Sequence, residues 1–217
     1  MYVVARWGRF GATGTRVLPQ LIVAKDKANF KNAIAKLGPE ALYFGFEFGF
    51  EESFNAVICM SVDLKRSILY VWDEIYMNHV TDDVFSNQPE MQNLRRRIND
   101  LNNAGYDKII VADNEDPKAI TYYRQNGFKI RGCRNKFAGS RLSNTRKVKR
   151  FRKIVVSPKC KNVIRELKDL TYKKDAKGNV IYDQFNIDPH SFSAIWYGLD
   201  TVTVADVKDR VRYSKAG

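Results

Sequence analysis

Cysteine is scarce in this sequence, long apolar runs are missing, and one stretch is almost without acid. The three cysteines, Cys59, Cys133 and Cys160, are odd in number, far apart and without CxxC spacing. That pattern argues against a zinc site or a disulfide framework and fits reduced thiols in a cytosolic protein. No apolar run approaches the ~20 residues of a membrane span, and the N-terminus lacks the apolar core of a signal peptide. The glycine-rich GRFGATGT (Gly8–Thr15) lacks the Lys-Ser/Thr ending of a phosphate-binding P-loop, which argues against ATP binding there. Internal repeats and low-complexity tracts are absent as well. Between Arg131 and Lys177 only Glu166, Asp169 and Asp175 oppose a long succession of lysines and arginines.

What is present supports a folded, nucleic-acid-facing protein. The chain has 217 residues, 44% hydrophobic and 12% aromatic, enough for one sizeable domain with a real core. Its net charge of +13 and isoelectric point near 9.6 point to a polyanionic partner, nucleic acid before membrane. Arg131, Arg134, Lys136, Arg141, Arg146, Lys147, Lys149, Arg150, Lys173 and Lys174 are the candidate nucleic-acid-binding residues. They would contact backbone phosphates and position the chain without reading base sequence.

The organising stretch is Tyr43–Asp63. Phe44, Phe46 and Phe48 alternate with Gly45, Glu47 and Gly49, a period of two that predicts a strand. One face is aromatic and the other carries a single carboxylate between glycines, leaving room beside Glu47 for a metal ion or a phosphate. A turn at Glu51–Ser53 leads to a strand over Phe54–Val62, and another follows over Ser67–Tyr76.

The remaining pattern predicts a mixed α/β domain. In the lead-in, residues 1–39, a strand is expected over Val17–Val23 and a helix over Asn29–Leu37. Met91, Leu94, Ile98 and Leu101 place a helix over Pro89–Asn103, ended by Gly105. Lys108–Ala112 reads as a buried strand, Asp116-Pro117 starts a helix through Gln125, and Phe128–Gly132 returns as a parallel strand. Beyond lie a strand at Ile154–Val156, a helix at Lys159–Asp169 and a hairpin of Leu170–Lys174 with Val180–Phe185. A last helix spans Pro189–Leu199. The main domain is expected over 40–205, with a charged tail over 206–217.

Three places concentrate metal-binding chemistry: Glu47 on the first strand, Asp113 at the carboxyl end of a buried strand, and Asp188 with His190 before the last helix. Asp113 there would point into the crevice where α/β sheets hold ligands. Converging carboxylates suit Mg²⁺ or Mn²⁺, and a pair of such ions about 4 Å apart can drive phosphodiester cleavage. Asp113 could instead cap the helix of Pro117, and His190 could be a capping or core histidine.

Three segments, IIVADNEDPKAITYYRQNGFKIRGCRN, IVVSPKCKNVIRELKDLTYKKDAKGNVI and IDPHSFSAIWYGLD, together resemble the C-terminal nuclease domain of tailed-phage large terminase subunits. The likeness covers about Tyr43 to Leu199. It implies a ribonuclease H-like fold in which three antiparallel strands lead into parallel ones, flanked by helices, with an extra hairpin. It also implies a divalent-metal endonuclease that cuts concatemeric double-stranded DNA during packaging in the host cytoplasm. The implied partners are an ATPase domain, a small terminase subunit and the portal protein.

By this resemblance Asp113 and His190 fall where the family has them, and Asp116 where it often has a glutamate. Glu47 replaces a family aspartate, and Ser193 replaces the aspartate of H-x-x-D-A, so Glu47, Asp113, His190 and Ser193 make up the implied catalytic set. A neutral hydroxyl ligates Mg²⁺ poorly, which opens a second reading: a non-catalytic DNA-clamping or motor-docking module on the same fold. A third, a structural RNA-binding protein, would want stacking aromatics in the basic stretch, and Phe137, Phe151 and Tyr172 are too scattered. Without a P-loop, an isolated nuclease domain or a split gene product is expected.

Overall fold

The computed structural model describes residues 15–49, 53–134, 136–137 and 139–207. The turn expected at Glu51–Ser53 falls mostly outside these residues, as do the glycine-rich GRFGATGT, apart from Thr15, and the end of the charged tail.

The alternation of Phe44, Phe46 and Phe48 with glycine and glutamate does form a strand, β2 (Leu42–Glu47). It pairs antiparallel with β3 (Phe54–Asp63), and β3 with β4 (Ile68–Asn78). On its other side β2 pairs parallel with β5 (Ile110–Ala112), and β5 with β6 (Ile130–Gly132). Beyond β4 lie β7 (Lys153–Val156) and the edge strand β1 (Leu21–Val23), both parallel. The result is a seven-stranded mixed sheet in the order β1-β7-β4-β3-β2-β5-β6. A separate hairpin joins β8 (Tyr172–Lys174) to β9 (Val180–Phe185).

β1 is shorter than the Val17–Val23 expected. Pro19 cannot donate to a ladder, so the strand starts after it. Val17 and Leu18 are instead buried against the hairpin side of the core, with Val17 N donating to Leu170 O at 3.1 Å.

Helices cover both faces. The aromatic face of β2 packs on α3 (Pro89–Asn103) and α4 (Pro117–Gln125), where Phe46 meets Tyr123 edge to face at 5.3 Å. Each fully buried phenylalanine removes enough apolar surface to contribute about 1.5–3 kcal/mol. The opposite face is covered by α6 (Lys161–Asp169) and α7 (His190–Gly198), through Val163, Leu167, Phe192 and Ile195. Every residue from Ser191 to Gly198 is buried, so α7 lies in the interior rather than on it. Two smaller helices, α1 (Lys27–Ala35) and α2 (Asp82–Ser86), complete the N-terminal half.

The helix α5 (Ser140–Lys149) did not show in the sequence pattern. Its buried positions are Ser140, Asn144, Thr145, Lys147 and Val148, mostly polar, so no apolar stripe announces it.

Candidate active site

Glu47 ends β2, and Asp113 follows β5 directly beside it. The parallel register pairs Phe46 with Ala112, and Asp113 N donates to Phe46 O at 3.0 Å. Both side chains therefore open into one cleft of about 720 Å³ at the carboxyl ends of these strands. Asp188, His190 and Ser193 line the same cleft from the start of α7, so the five residues singled out from the sequence share one cavity.

The glycines beside Glu47 have a different task from the one expected. A Cβ on Gly45 would stand 1.7 Å from the Ala194 carbonyl oxygen, and one on Gly198 would stand 2.9 Å from Gly45 N. Backbone packs on backbone there, so the room left by Gly45 is filled by α7. The space beside Gly49 is filled likewise, by the backbone of Ser53–Asn55. This close approach carries Ser193 and Tyr197 to Glu47, and Gly45 makes no space for a ligand.

The electrostatics of the cleft are strained in one direction. Burial, and next the facing charge of Asp113, push the Glu47 carboxyl up to about 8. A hydrogen bond with Tyr197 and the charge of Lys136 only partly offset this. Glu47 Oε2 is buried and has no hydrogen-bond partner among the described residues. Burial raises the Tyr197 hydroxyl far above the ordinary tyrosine range, so it keeps its proton while hydrogen-bonded to the Glu47 carboxyl.

Asp113 does not cap α4. Asp116 does, accepting from Ala119 N at 2.9 Å, while Asp113 Oδ1 accepts from Glu115 N at 3.0 Å. The Asp113 carboxylate instead faces Lys136, whose Nζ lies 2.8 Å from each of its oxygens and 2.9 Å from Glu115 Oε2. Burial alone would lower the Lys136 pKa, but these bonds outweigh it and raise it. Among the described residues, no three His, Cys, Asp or Glu side chains gather closely enough to hold a metal ion. A lysine stands among the acids instead.

His190 is half-buried at the cleft wall. Its ring nitrogens lie 3.4 Å from Ser53 Oγ, and its ring packs 5.7 Å from that of Phe54. Burial holds its pKa below the usual value against the opposing charge of Asp188, leaving a neutral imidazole at pH 7. Pro189 occupies the N-cap position of α7, so His190 is neither cap nor fully buried core.

The ten basic candidates separate into distinct settings. Lys136 and Arg141 line the cleft. Arg146, Lys149 and Arg150 line a second groove of about 840 Å³ between α5 and the hairpin, with Tyr172 and the exposed Tyr182. Arg134, Lys173 and Lys174 are exposed. Lys147 does not fit a DNA-binding role. It is 4% exposed, its Nζ donates to Leu199 O at 2.7 Å, and burial lowers its pKa to about 8. Arg131 is likewise held inside the fold, by an ion pair with buried Asp200 at 2.8 Å.

Tyr197 was not anticipated as a site residue. Tyr197 follows His190 and Ser193 at helical spacing, i+7 and i+4, so the face they share was readable in the sequence.

With this geometry in place, comparison with known proteins is decisive. The terminase RNase H-like domain family matches residues 47–201. The PBSX phage terminase large subunit of Bacillus subtilis (strain 168) is 47% identical over 210 residues, 96% of this chain. This chain belongs to the terminase RNase H-like family. It spans 45% of that relative's length. The fold matches the nuclease domain of the bacteriophage SPP1 large terminase, solved with bound Mn, at a TM-score of 0.66 and 19% identity. That match covers 85% of this chain and 97% of the SPP1 domain. The large terminase of a thermophilic bacteriophage matches at 0.55 and 17% identity, over 76% of this chain and 40% of that one. The ribonuclease H-like architecture is thus that of terminase nuclease domains, and the expected extra hairpin is present as β8 and β9.

Proposed function

We propose that this domain is a divalent-metal-dependent endonuclease that cleaves concatemeric double-stranded DNA in phage genome packaging. The observation that carries the proposal is the pairing of Glu47 and Asp113 in the cleft. Two carboxyl groups face each other, Glu47 Oε2 has no partner among the described residues, and burial with the charge of Asp113 holds Glu47 protonated near neutrality. Such a donor set fits a hard cation, Mg²⁺ or Mn²⁺. Glu47 and Asp113 would hold it, with Asp188 and His190 on the facing wall available to a first or second ion. Bound there, the cation would generate a nucleophile from water and offset charge on the leaving oxygen.

The chain's own groups supply the rest. Neutral His190 can take a ligand position or accept a proton through either ring nitrogen. Lys136 can pass from Asp113 to a backbone phosphate, and Arg141 beside it neutralises the approaching strand. Arg146, Lys149 and Arg150 would extend the duplex path along the second groove. The ATPase domain, small terminase subunit, portal protein and host cytoplasm enter as the setting that the family implies.

The test is nicking of supercoiled plasmid with Mn²⁺ against EDTA. Metal-dependent conversion to open circles supports cleavage. Binding without cleavage would favour the non-catalytic clamping or docking module, a reading that Ser193 and the Lys136–Asp113 ion pair favour.

A further inference from the structure

The start of α7 lacks a cap of its own. Pro189 at the N-cap position has no side-chain acceptor, and the first N–H groups of a helix have no partner within it. The acceptor comes from another helix. Glu166, 8% exposed on α6, receives Ser191 N on Oε2 and Phe192 N on Oε1, both at 3.0 Å. The hydroxyl of Tyr76 on β4 donates to the same Oε2 at 3.2 Å.

α6 is fixed in the same manner. Glu74 on β4 accepts from Asn162 N at 2.9 Å and Val163 N at 2.8 Å, the first turn of α6. One carboxylate ties α6 to the sheet, and a second ties α7 to α6. Tyr76 closes the circuit through its ring, which packs 4.9 Å from Phe54, itself 5.7 Å from the His190 ring. The backbone and the ring of His190 are thus approached by two arms that meet at Glu166 and Tyr76.

We propose that Glu166 is a positioning residue, whose buried carboxylate substitutes for the missing cap of α7 and sets the orientation of His190 in the cleft. The inference rests on the nuclease reading for its consequence, since His190 is placed there as a metal ligand. Outer residues that orient a ligand typically change metal affinity by about 10- to 100-fold when removed. An α7 start with two unanswered N–H groups would fray by a turn, and His190 belongs to that turn.

The experiment uses the two histidines as probe and control. His79 lies just past the end of β4, outside this circuit, and His190 lies within it. Imidazole ¹H–¹³C spectra would be recorded without metal for the parent, Glu166→Ala, Glu166→Gln and Tyr76→Phe. The expected result is displacement of the His190 signals in Glu166→Ala, a smaller displacement in Glu166→Gln and Tyr76→Phe, and an unmoved His79. The Mn²⁺ affinity of Glu166→Ala, by calorimetry, should fall at least about tenfold. Should Glu166→Ala fail to fold, Glu166→Gln and Tyr76→Phe decide by the same readings. Unmoved His190 signals, or equal displacement of both histidines, would overturn the proposal. If the parent bound no Mn²⁺, the nuclease reading would fail, while the His190 signals would still decide the role of Glu166.

Discussion

Lys136 Nζ lies 2.8 Å from both carboxylate oxygens of Asp113, a cation where the chemistry of the cleft calls for one. A metal ion entering beside Asp113 must displace this ammonium or share the carboxylate with it. Lys136→Ala should therefore bind Mn²⁺ several-fold more tightly, as release of ~1 kcal/mol from a partly exposed ion pair would give. The same change leaves two buried acids unbalanced, so the metal-free protein should melt earlier and gain more from Mn²⁺. Calorimetry and thermal melts with and without EDTA check both. Weaker Mn²⁺ binding in the variant would show that Lys136 assists the ion.

Two carboxyls hold protons unusually well in the folded state. Glu47 is pushed up to about 8 and Glu166 to about 7, in each case chiefly by burial. Between the ordinary glutamate range and these values the folded protein binds more protons than the unfolded one. Stability without metal should accordingly fall as pH rises from about 5 to 8. Urea midpoints across that window, in EDTA, measure it, and Glu47→Gln should flatten the slope. Mn²⁺ affinity should move the other way, rising with pH as Glu47 gives up its proton.

The contact of β2 with α7 through glycine predicts a sharp local intolerance. Gly45→Ala puts a methyl 1.7 Å from Ala194 O, against main chain that cannot rotate away. The cost should be about 3 kcal/mol or more in chemical denaturation. Gly105→Ala is the comparison: it meets nothing within 4 Å among the described residues, and its φ of +89° should cost only about 1 kcal/mol.

DNA affinity should depend on salt through the exposed cations alone. Lys149→Ala and Arg146→Ala should each reduce the slope of log affinity against log salt by about one. Lys147→Met should leave that slope unchanged while altering stability, because Lys147 is buried against Leu199 O. Equal slopes in all three variants would mean that the groove between α5 and the hairpin is not on the DNA path.

The sheet was legible because its strands announce themselves. Phe44, Phe46 and Phe48 repeat at a period of two, and the apolar KIIVA run delivers Asp113 at its end. α5 was hidden because it buries Ser140, Asn144, Thr145 and Lys147, so composition reads as a solvated basic run. That same composition made Lys147 and Arg131 look available when both are tied inside the fold. Gly45 was read as space for a ligand, since a strand glycine signals close approach without saying to what. The cap supplied by Glu166 joins α6 to α7 across 25 residues of sequence, a relationship that no local pattern encodes.

Titration of the domain with Mn²⁺ by calorimetry, parent against Asp113→Ala, bears most directly on the proposal that Glu47 and Asp113 together hold a catalytic cation. The parent should bind the ion, and Asp113→Ala should lose binding at the main site while keeping its fold, as far-ultraviolet circular dichroism would report. Equal affinity in the two proteins would contradict the proposal and leave Asp113 as nothing more than the partner of Lys136.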